Sequence, residues 1–382
     1  MPGYFMPPVS LIGAGVVEEI GEQIRKQKGT KVLVVTDKIL IELGIVEEVV
    51  KHIEAEGIEM VIFDDVQPNP TVKNVEDGLE LLNKEDCNLL VSIGGGSVHD
   101  CAKGIALIVT NGGNIIDYQG VDQSTKPSMP LIAVNTTAGT ASEMTRFSII
   151  TDEERSIKMP IIDWRITPNV AINDPLLMLK KPAALTAATG MDALTHAIEA
   201  YVSTNANPVT DSVAIKAIEL IANSLRKAVS NGDNIEAREN MAYAEFLAGM
   251  AFNNASIGLV HAMAHQLGGL YDLPHGVCNA VLLPYVEEFN LIANQERLVD
   301  IADAMGEKTI GLSTRAAADK AIEAITKLSK DIGIPQRLSQ LEGVKKEDFE
   351  ILAENALKDA CIFTNPRRAT KEDIIALFEI AY

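Results

Sequence analysis

Six histidines occur in the 382-residue chain, and four of them, His196, His261, His265 and His275, fall early in its second half. Asp192 and His196 are four apart in GMDALTHAIE, a stretch with helical periodicity, so both lie on one face and can reach one ion. His261 and His265 repeat that relation in LVHAMAHQLGG. His275 sits in YDLPHGVCN, a Pro-Gly-bounded turn able to deliver a ligand from a loop. One carboxylate and three imidazoles suit a divalent cation such as Fe(II) or Zn(II). Spacing leaves open which of His261, His265 and His275 is not a ligand. Singly, each histidine reads as readily as a core or capping residue; five such residues between Asp192 and His275 of a His-poor chain point to a metal. His52 reads as a surface residue, and the role of His99 stays open.

A second candidate site precedes these residues. NLLVSI runs into Gly94-Gly95-Gly96, and a helical pattern starts at Ser97. Three residues without Cβ let an anionic group approach the backbone, and a helix N-terminus offers it N–H groups and a positive dipole end. Ser97 either caps the helix or donates to phosphate. The spacing is not G-x-G-x-x-G, and Gly13-Ala14-Gly15 is excluded because Glu18 occupies the third glycine position. After the next strand comes NTTAGTASE, whose Thr136, Thr137 and Thr140 provide a second, hydroxyl-rich cradle. Asp37 ends the first strand. It either caps the next helix or accepts from both hydroxyls of an adenosine ribose, and in the latter role it repels a 2′-phosphate and favours NAD over NADP.

These residues need elements to hold them. KVLVVTD (Lys31–Asp37), Met60–Phe63, Asn88–Ile93, Leu131–Val134 and Val170–Ile172 read as buried strands. Helix-period segments such as Gly44–Ala55, Val72–Asn83 and Ser97–Val109 lie between them. Alternation of this kind predicts an α/β domain with a mainly parallel, Rossmann-like sheet. The pattern changes near Leu179–Pro182. Beyond it, Pro208–Ser230, Ile235–Phe252, Leu312–Asp331 and Lys346–Leu357 carry helical spacing, predicting an all-α domain. The expected division is 1–181 and 182–382, with the active site in the cleft between the two.

Composition excludes several classes. With 53 acidic against 33 basic residues the formal charge is −20, and no Lys/Arg cluster interrupts it, so neither nucleic acid nor an anionic membrane is an expected partner. The four cysteines, Cys87, Cys101, Cys278 and Cys361, are scattered. MPGYFMPPVS lacks the layout of a signal peptide, and no apolar run reaches the roughly 18–20 residues that span a bilayer. A cytoplasmic setting is expected.

Together VTDK, GGGSVHD, NTTAGTASE, ATGMDALTHAIEAY, GLVHAMAHQLGG, PHGVCNA and the late NPR resemble the iron-containing (type III) alcohol dehydrogenases, nearly end to end. TTAGTASEMTRF and NNASIGLVHAMAHQLGG sit nearest the ethanol-type and 1,3-propanediol-type members. The resemblance implies a dehydroquinate synthase-like architecture and NAD-dependent hydride transfer between a small primary alcohol or diol and its aldehyde. It implies Asp192, His196, His261 and His275 as metal ligands, with Fe2+ favoured and Zn2+ possible. His265 becomes the histidine beside the nicotinamide. Asp37, Asn69, Gly96, Ser97, Thr136, Thr137, Thr140 and Lys158 become cofactor contacts, joined by Gly94 and Gly95 of the same turn. A homo-oligomer, dimer or larger, is also implied. Tyr285 departs from the many relatives with histidine there. A metal- and NAD-using lyase of similar fold would need basic residues around the site, and the segments around Asp192, His261 and His275 have none. A metal-dependent hydrolase would leave Asp37 and the paired cradle loops unexplained.

Overall fold

Short runs of Val, Ile and Leu build the first half around a sheet. In the computed structural model, which describes residues 3–155 and 157–382, the strands are β1 (Val9–Ile12), β2 (Lys31–Val35), β3 (Glu59–Phe63), β4 (Leu89–Gly94), β5 (Gly120–Val121), β6 (Leu131–Asn135), β7 (Phe147–Asp152), β8 (Ile157–Ile162) and β9 (Val170–Asn173). Six of them form an all-parallel sheet in the order β1-β9-β6-β4-β2-β3. The central strands β4, β6 and β9 are buried along their whole length, as expected when helices cover both faces. Alternate residues serve opposite faces. Val32, Val34, Leu89 and Val91 pack with Ile20, Ile24, Val46, Val49 and Ile53, which lie on α1 (Ile20–Lys26) and α3 (Ile45–Ala55). Leu33, Val35 and Leu90 pack with Val75, Leu82, Cys101 and Ile105, on α4 (Val72–Lys84) and α5 (Gly96–Asn111). Each fully buried aliphatic side chain here contributes about 1.5–3 kcal/mol of burial.

Topology decides where a ligand can sit. The chain goes from β2 outward to β3, then returns to β4 on the other side of β2. With β1 set aside, the order is 2-1-3-4-5, a doubly wound sheet whose direction reverses between β2 and β4. Ligands of such sheets bind beyond the strand ends at that reversal. The segment after β2 carries Asp37, and the turn after β4 carries Gly94–Gly96. Gly94, Asn135 and Asn173 are in register across β4, β6 and β9, so the glycine turn and the threonine loop leave the sheet side by side.

A second sheet, β5-β8-β7, was not legible in the periodicity. β7 alternates half-buried and buried residues, and β8 pairs with it antiparallel, Thr151 opposite Lys158. Thr151 donates its N–H to Pro70 O at 2.7 Å, which ties this hairpin to the segment bearing Asn69. β1 gives no comparable signal, its four residues being only half-buried at the sheet's edge.

The chain divides into two compact units, Tyr4–Lys180 and one built on Lys181–Tyr382. The second contains helices and no strand among its described residues. They are α6 (Ala183–Val202), α7 (Pro208–Ser230), α8 (Ile235–Ala255), α9 (Leu259–Tyr271), α10 (His275–Asn290), α11 (Gln295–Ala304), α12 (Thr314–Asp331), α13 (Phe349–Ala356) and α14 (Lys371–Ala381). The remaining short helix of the first unit, Lys38–Glu42, is α2. α6 is buried almost all round and packs against α7, α8 and α10, the environment of a central helix. Ser313 caps α12, accepting from the Ala316 N–H at 3.3 Å, so that helix starts later than its apolar spacing suggested. The Lys346–Leu357 pattern is a 3-10 turn followed by α13. No described helix is long and apolar enough to cross a membrane.

Candidate active site

In the first unit, the glycine turn is shaped by the threonine loop beside it. None of Gly94, Gly95 or Gly96 has positive φ; what they supply is space. A Cβ on Gly94 would lie 2.5 Å from Val98 Cβ, one on Gly95 2.9 Å from Thr137 Cγ2, and one on Gly96 3.1 Å from Thr140 Cγ2. The missing side chains make room for Val98, Thr137 and Thr140, so the threonine loop sits directly against the turn. Gly95 is the N-cap of α5 and supplies no side-chain cap to the first turn, so those N–H groups suit an anion. Thr136 Oγ1 is buried without a hydrogen-bond partner. An orphaned hydroxyl beside an uncapped helix end is the kind of surface that a dinucleotide phosphate fits.

The other cofactor candidates gather in the same unit. Ser97 does not cap α5; its Oγ accepts the Asn69 N–H at 3.3 Å. Asn69 adopts a left-handed φ of 57° and accepts from Lys158 Nζ at 2.8 Å through Oδ1. Asn69, Ser97 and Lys158 thus form one linked group. Thr137 donates its backbone N–H to Asn135 Oδ1 at 3.0 Å, and Thr140 Oγ1 accepts the Ser142 N–H at 3.3 Å. Asp37 caps α2, Oδ1 accepting the Leu40 N–H at 2.9 Å; capping occupies one of its two oxygens. His99 is internal. Its Nδ1 lies 2.8 Å from Ser92 Oγ, and burial, helped by the Lys103 charge, pushes it down to about 3. It is a neutral packing residue.

In the second unit, Asp192, His196, His261 and His275 converge, with one ligating atom of each within 4.8 Å of all the others. Asp192 and His196 project from α6, His261 from α9, and His275 is the first residue of α10. Exposure is 2% at Asp192, 5% at His196 and 1% at His261, while His275 is partly exposed. His275 Nε2 stands 3.5 Å and His261 Nε2 3.9 Å from Asp192 Oδ1. The approach of α10 to α6 depends on Gly276, where a Cβ would fall 2.3 Å from Ala188 O. The His196 ring stacks between Phe252 at 4.2 Å and His261 at 4.5 Å. Burial, reinforced by His196, His275 and His265, pushes His261 well below its ordinary value. A neutral imidazole keeps a lone pair for a cation. Buried acceptors of this kind, aimed at one point, are costly unless something positive meets them; a divalent ion fits them.

The chain matches the family described as iron-containing alcohol dehydrogenase over residues 7–175 and that family's C-terminal part over residues 186–382. It belongs to the iron-containing alcohol dehydrogenase family. It is 56% identical over 381 residues to the 1,3-propanediol dehydrogenase of Klebsiella pneumoniae, covering 99% of this chain and 98% of that one. To the NAD-dependent methanol dehydrogenase of Bacillus methanolicus it is 52% identical over 381 residues, covering 100% of both. A crystal structure of 1,3-propanediol oxidoreductase superposes with a TM-score of 0.99 at 56% identity, over 100% of both chains.

In this iron-containing alcohol dehydrogenase, several side chains that spacing did not single out surround the four donors. Glu199 binds His261 Nδ1 through Oε2, and its Oε1 accepts the Val260 N–H at 2.6 Å. Asp359 Oδ2 lies 2.8 Å from His265 Nδ1. Burial pushes Asp359 up, but the hydrogen bond and charge of His265 outweigh it and bring the carboxyl below its usual value. Cys361 joins this pair within 4.8 Å; burial, then Asp359, raise its thiol well above the ordinary value. Asn279, inside the recognised PHGVCNA, places its amide against three donor atoms. The late NPR is structural: Asn365 accepts the Leu259 N–H at 3.1 Å, and Arg367 stacks over Phe289 at 3.7 Å. Tyr285 donates to Gln336 O at 3.0 Å and takes no part in the donor set.

Proposed function

We propose that this chain is an NAD-dependent alcohol dehydrogenase that interconverts a small primary alcohol or diol and its aldehyde, using a divalent ion held by Asp192, His196, His261 and His275. The observation that carries the reading is the convergence of those four donor atoms within 4.8 Å in a buried setting. When bound, the ion supplies a Lewis acid for the alcohol or carbonyl oxygen, and NAD supplies the hydride acceptor. Glu199 fixes His261 with Nδ1–H toward its carboxylate, which leaves Nε2 as the donor. Phe252 holds the His196 ring by stacking. Asp359 fixes Nδ1 of His265 in the same way, leaving Nε2 to take or return the hydroxyl proton.

Asn69, Gly94, Gly95, Gly96, Ser97, Thr136, Thr137, Thr140 and Lys158 hold the cofactor, and Asp37 takes the ribose and disfavours a 2′-phosphate. Iron is the ion favoured by family membership; three imidazoles and a carboxylate also accept zinc. The substrate class follows relatives named for 1,3-propanediol and methanol. A cytoplasmic location accords with four free cysteines, and a homo-oligomer with the family; light scattering that gave a monomer mass would overturn the latter. The activity is tested by loading the protein anaerobically with Fe(II) or Zn(II) and following NADH absorbance over a chain-length series of alcohols and diols. Absence of any NADH change, or full activity in Asp192→Ala, would sink the reading.

A further inference from the structure

Lys103 lies on α5 about two turns beyond the glycine turn and is fully buried. Its ammonium has three N–H groups, and three acceptors on one short segment meet them. They are Ser142 Oγ at 2.9 Å, Thr145 Oγ1 at 3.3 Å and Phe147 O at 2.6 Å. Asp100, one turn earlier, holds the same segment. Its Oδ1 accepts the Ser142 hydroxyl at 2.7 Å, its Oδ2 the Ile149 N–H at 3.0 Å, and its backbone carbonyl the Ser148 hydroxyl at 2.9 Å. Ser142 in turn donates its backbone N–H to Thr140 Oγ1 at 3.3 Å. The start of α5 and the threonine loop thus meet twice, once where Gly95 and Gly96 leave space for Thr137 and Thr140, and once behind, at Lys103. Stability does not account for the charge. A methionine fills similar space without desolvating an ammonium, and exchanging a buried ion pair for apolar side chains is often neutral or stabilising.

We propose that Lys103 is a positioning residue for the dinucleotide, fixing from behind the spacing between the threonine loop and the first turn of α5. This rests on the reading of Gly94, Gly95, Gly96, Thr136, Thr137 and Thr140 as the cofactor's cradle. Two walls of a phosphate site that come from different elements bind well only when held at one separation before the ligand arrives. Lys103 supplies that hold because its three bonds all reach the far wall, and Asp100 sets the Ser142 hydroxyl between the two charges. That hydroxyl accepts from the ammonium and donates to the carboxylate, which leaves it one orientation. Lys103 never touches the dinucleotide in this arrangement; it acts through Ser142 and the loop that Ser142 continues.

The test titrates NADH into the full, metal-loaded chain by fluorescence. Lys103→Met is expected to raise the NADH Kd by about 10-fold or more. The KM for NAD should rise with it, while kcat at saturating NAD and the KM for the alcohol stay within about two-fold. At pH 7 its thermal midpoint is expected to equal or exceed that of the native protein, since a buried charge has been removed. A role in the fold alone would move affinity and midpoint down together. That result overturns the proposal, and so does an unchanged NADH Kd. Should Lys103→Met fail to fold, Ser142→Ala decides. It removes the shared hydroxyl, leaves both charges in place, and is expected to raise the Kd about three-fold or more; an unchanged Kd there overturns the proposal. Gly95→Val separates the two levels. Its Cβ would fall 2.9 Å from Thr137 Cγ2, so if this variant binds NADH as the native protein does, the cradle reading has failed rather than Lys103.

Discussion

Glu199 shows how much of a metal site lies behind its ligands. One carboxylate oxygen accepts from the Val260 backbone and the other from His261 Nδ1, so a single side chain sets both the start of α9 and the tautomer of a donor. Burial pushes Glu199 up to about 8, with the nearby Glu287 adding to it and three backbone N–H groups opposing. Glu199→Ala leaves the imidazole without an anchor. Metal affinity is expected to fall about 10–100-fold, as read by competition with a chelator, while NADH affinity stays unchanged. Equal affinity in both proteins would mean that stacking against His196 alone holds the ring. Asp359 acts on His265, so Asp359→Ala is expected to lower kcat by about 10–100-fold with little change in KM or bound metal. The two cases differ from Asp192 and His196 in legibility. That pair is four apart on one helix and could be read from spacing. Glu199 is 62 residues from His261, and Asp359 is 94 from His265. No local periodicity links them; helix packing does.

Among the elements, α5 holds the clearest case of a charge enclosed by structure. Lys103 is fully buried and donates to Ser142 Oγ at 2.9 Å and Phe147 O at 2.6 Å. Asp100, one turn earlier, accepts from Ser142 Oγ at 2.7 Å and the Ile149 N–H at 3.0 Å. Together they clamp the glycine-turn helix to the segment that continues the threonine loop. Burial pushes Lys103 down from 10.5 to about 8, against the attraction of Asp100 and Glu143. The folded chain sheds this proton before the unfolded chain does, so between about 8 and 10.5 the unfolded state binds more protons and stability rises with pH. Below that window the full cost of the buried charge is present. From pH 7 to 9 the rise from this group is about 1 kcal/mol. Urea unfolding of the native protein and of Lys103→Met over that range should show the difference between them changing by this amount; parallel curves would refute it. A steric clamp is expected at Gly276, where alanine would meet Ala188 O at 2.3 Å. Gly276→Ala should cost about 1–3 kcal/mol and weaken metal binding with it, measurable by thermal unfolding at saturating and zero metal. The Pro-Gly-bounded stretch reads as a turn delivering His275 from a loop, whereas Pro274 is the N-cap and His275 and Gly276 open α10. Nor does spacing show that this glycine admits one helix to another, because Ala188 lies on a different element. The alternating β7–β8 hairpin escaped for a related reason: its buried Ile150, Met159 and Ile161 join the core formed with α4 and α5, distant in sequence.

For the whole molecule, the two ligand sets are divided between the two compact units. The cofactor candidates run from Asp37 to Lys158 within Tyr4–Lys180, and the metal donors run from Asp192 to His275 within the unit built on Lys181–Tyr382. The change from alternating strands and helices to helices alone made this partition legible, since the two periodicities cannot share one segment. On the proposed assignment each unit carries one binding chemistry, and chelation should reach only one of them. Metal at 100 to 1,000 times its Kd stabilises whatever binds it by about 2.7–4.1 kcal/mol. Stripping the ion should lower the thermal transition of the helical unit and abolish turnover, yet leave NADH binding, followed by fluorescence, within about two-fold of its starting value, a shift worth less than 0.5 kcal/mol. Most of the helical signal in the far ultraviolet comes from α6–α14 of the second unit, with a smaller share from α1–α5 of the first, and fluorescence of bound NADH follows the first. A parallel loss of NADH binding and helical stability on chelation would show instead that the two units unfold as one. Re-addition of Fe(II) should restore both the transition and the turnover, because the four donors project from α6, α9 and α10, and α10 packs against both of the others.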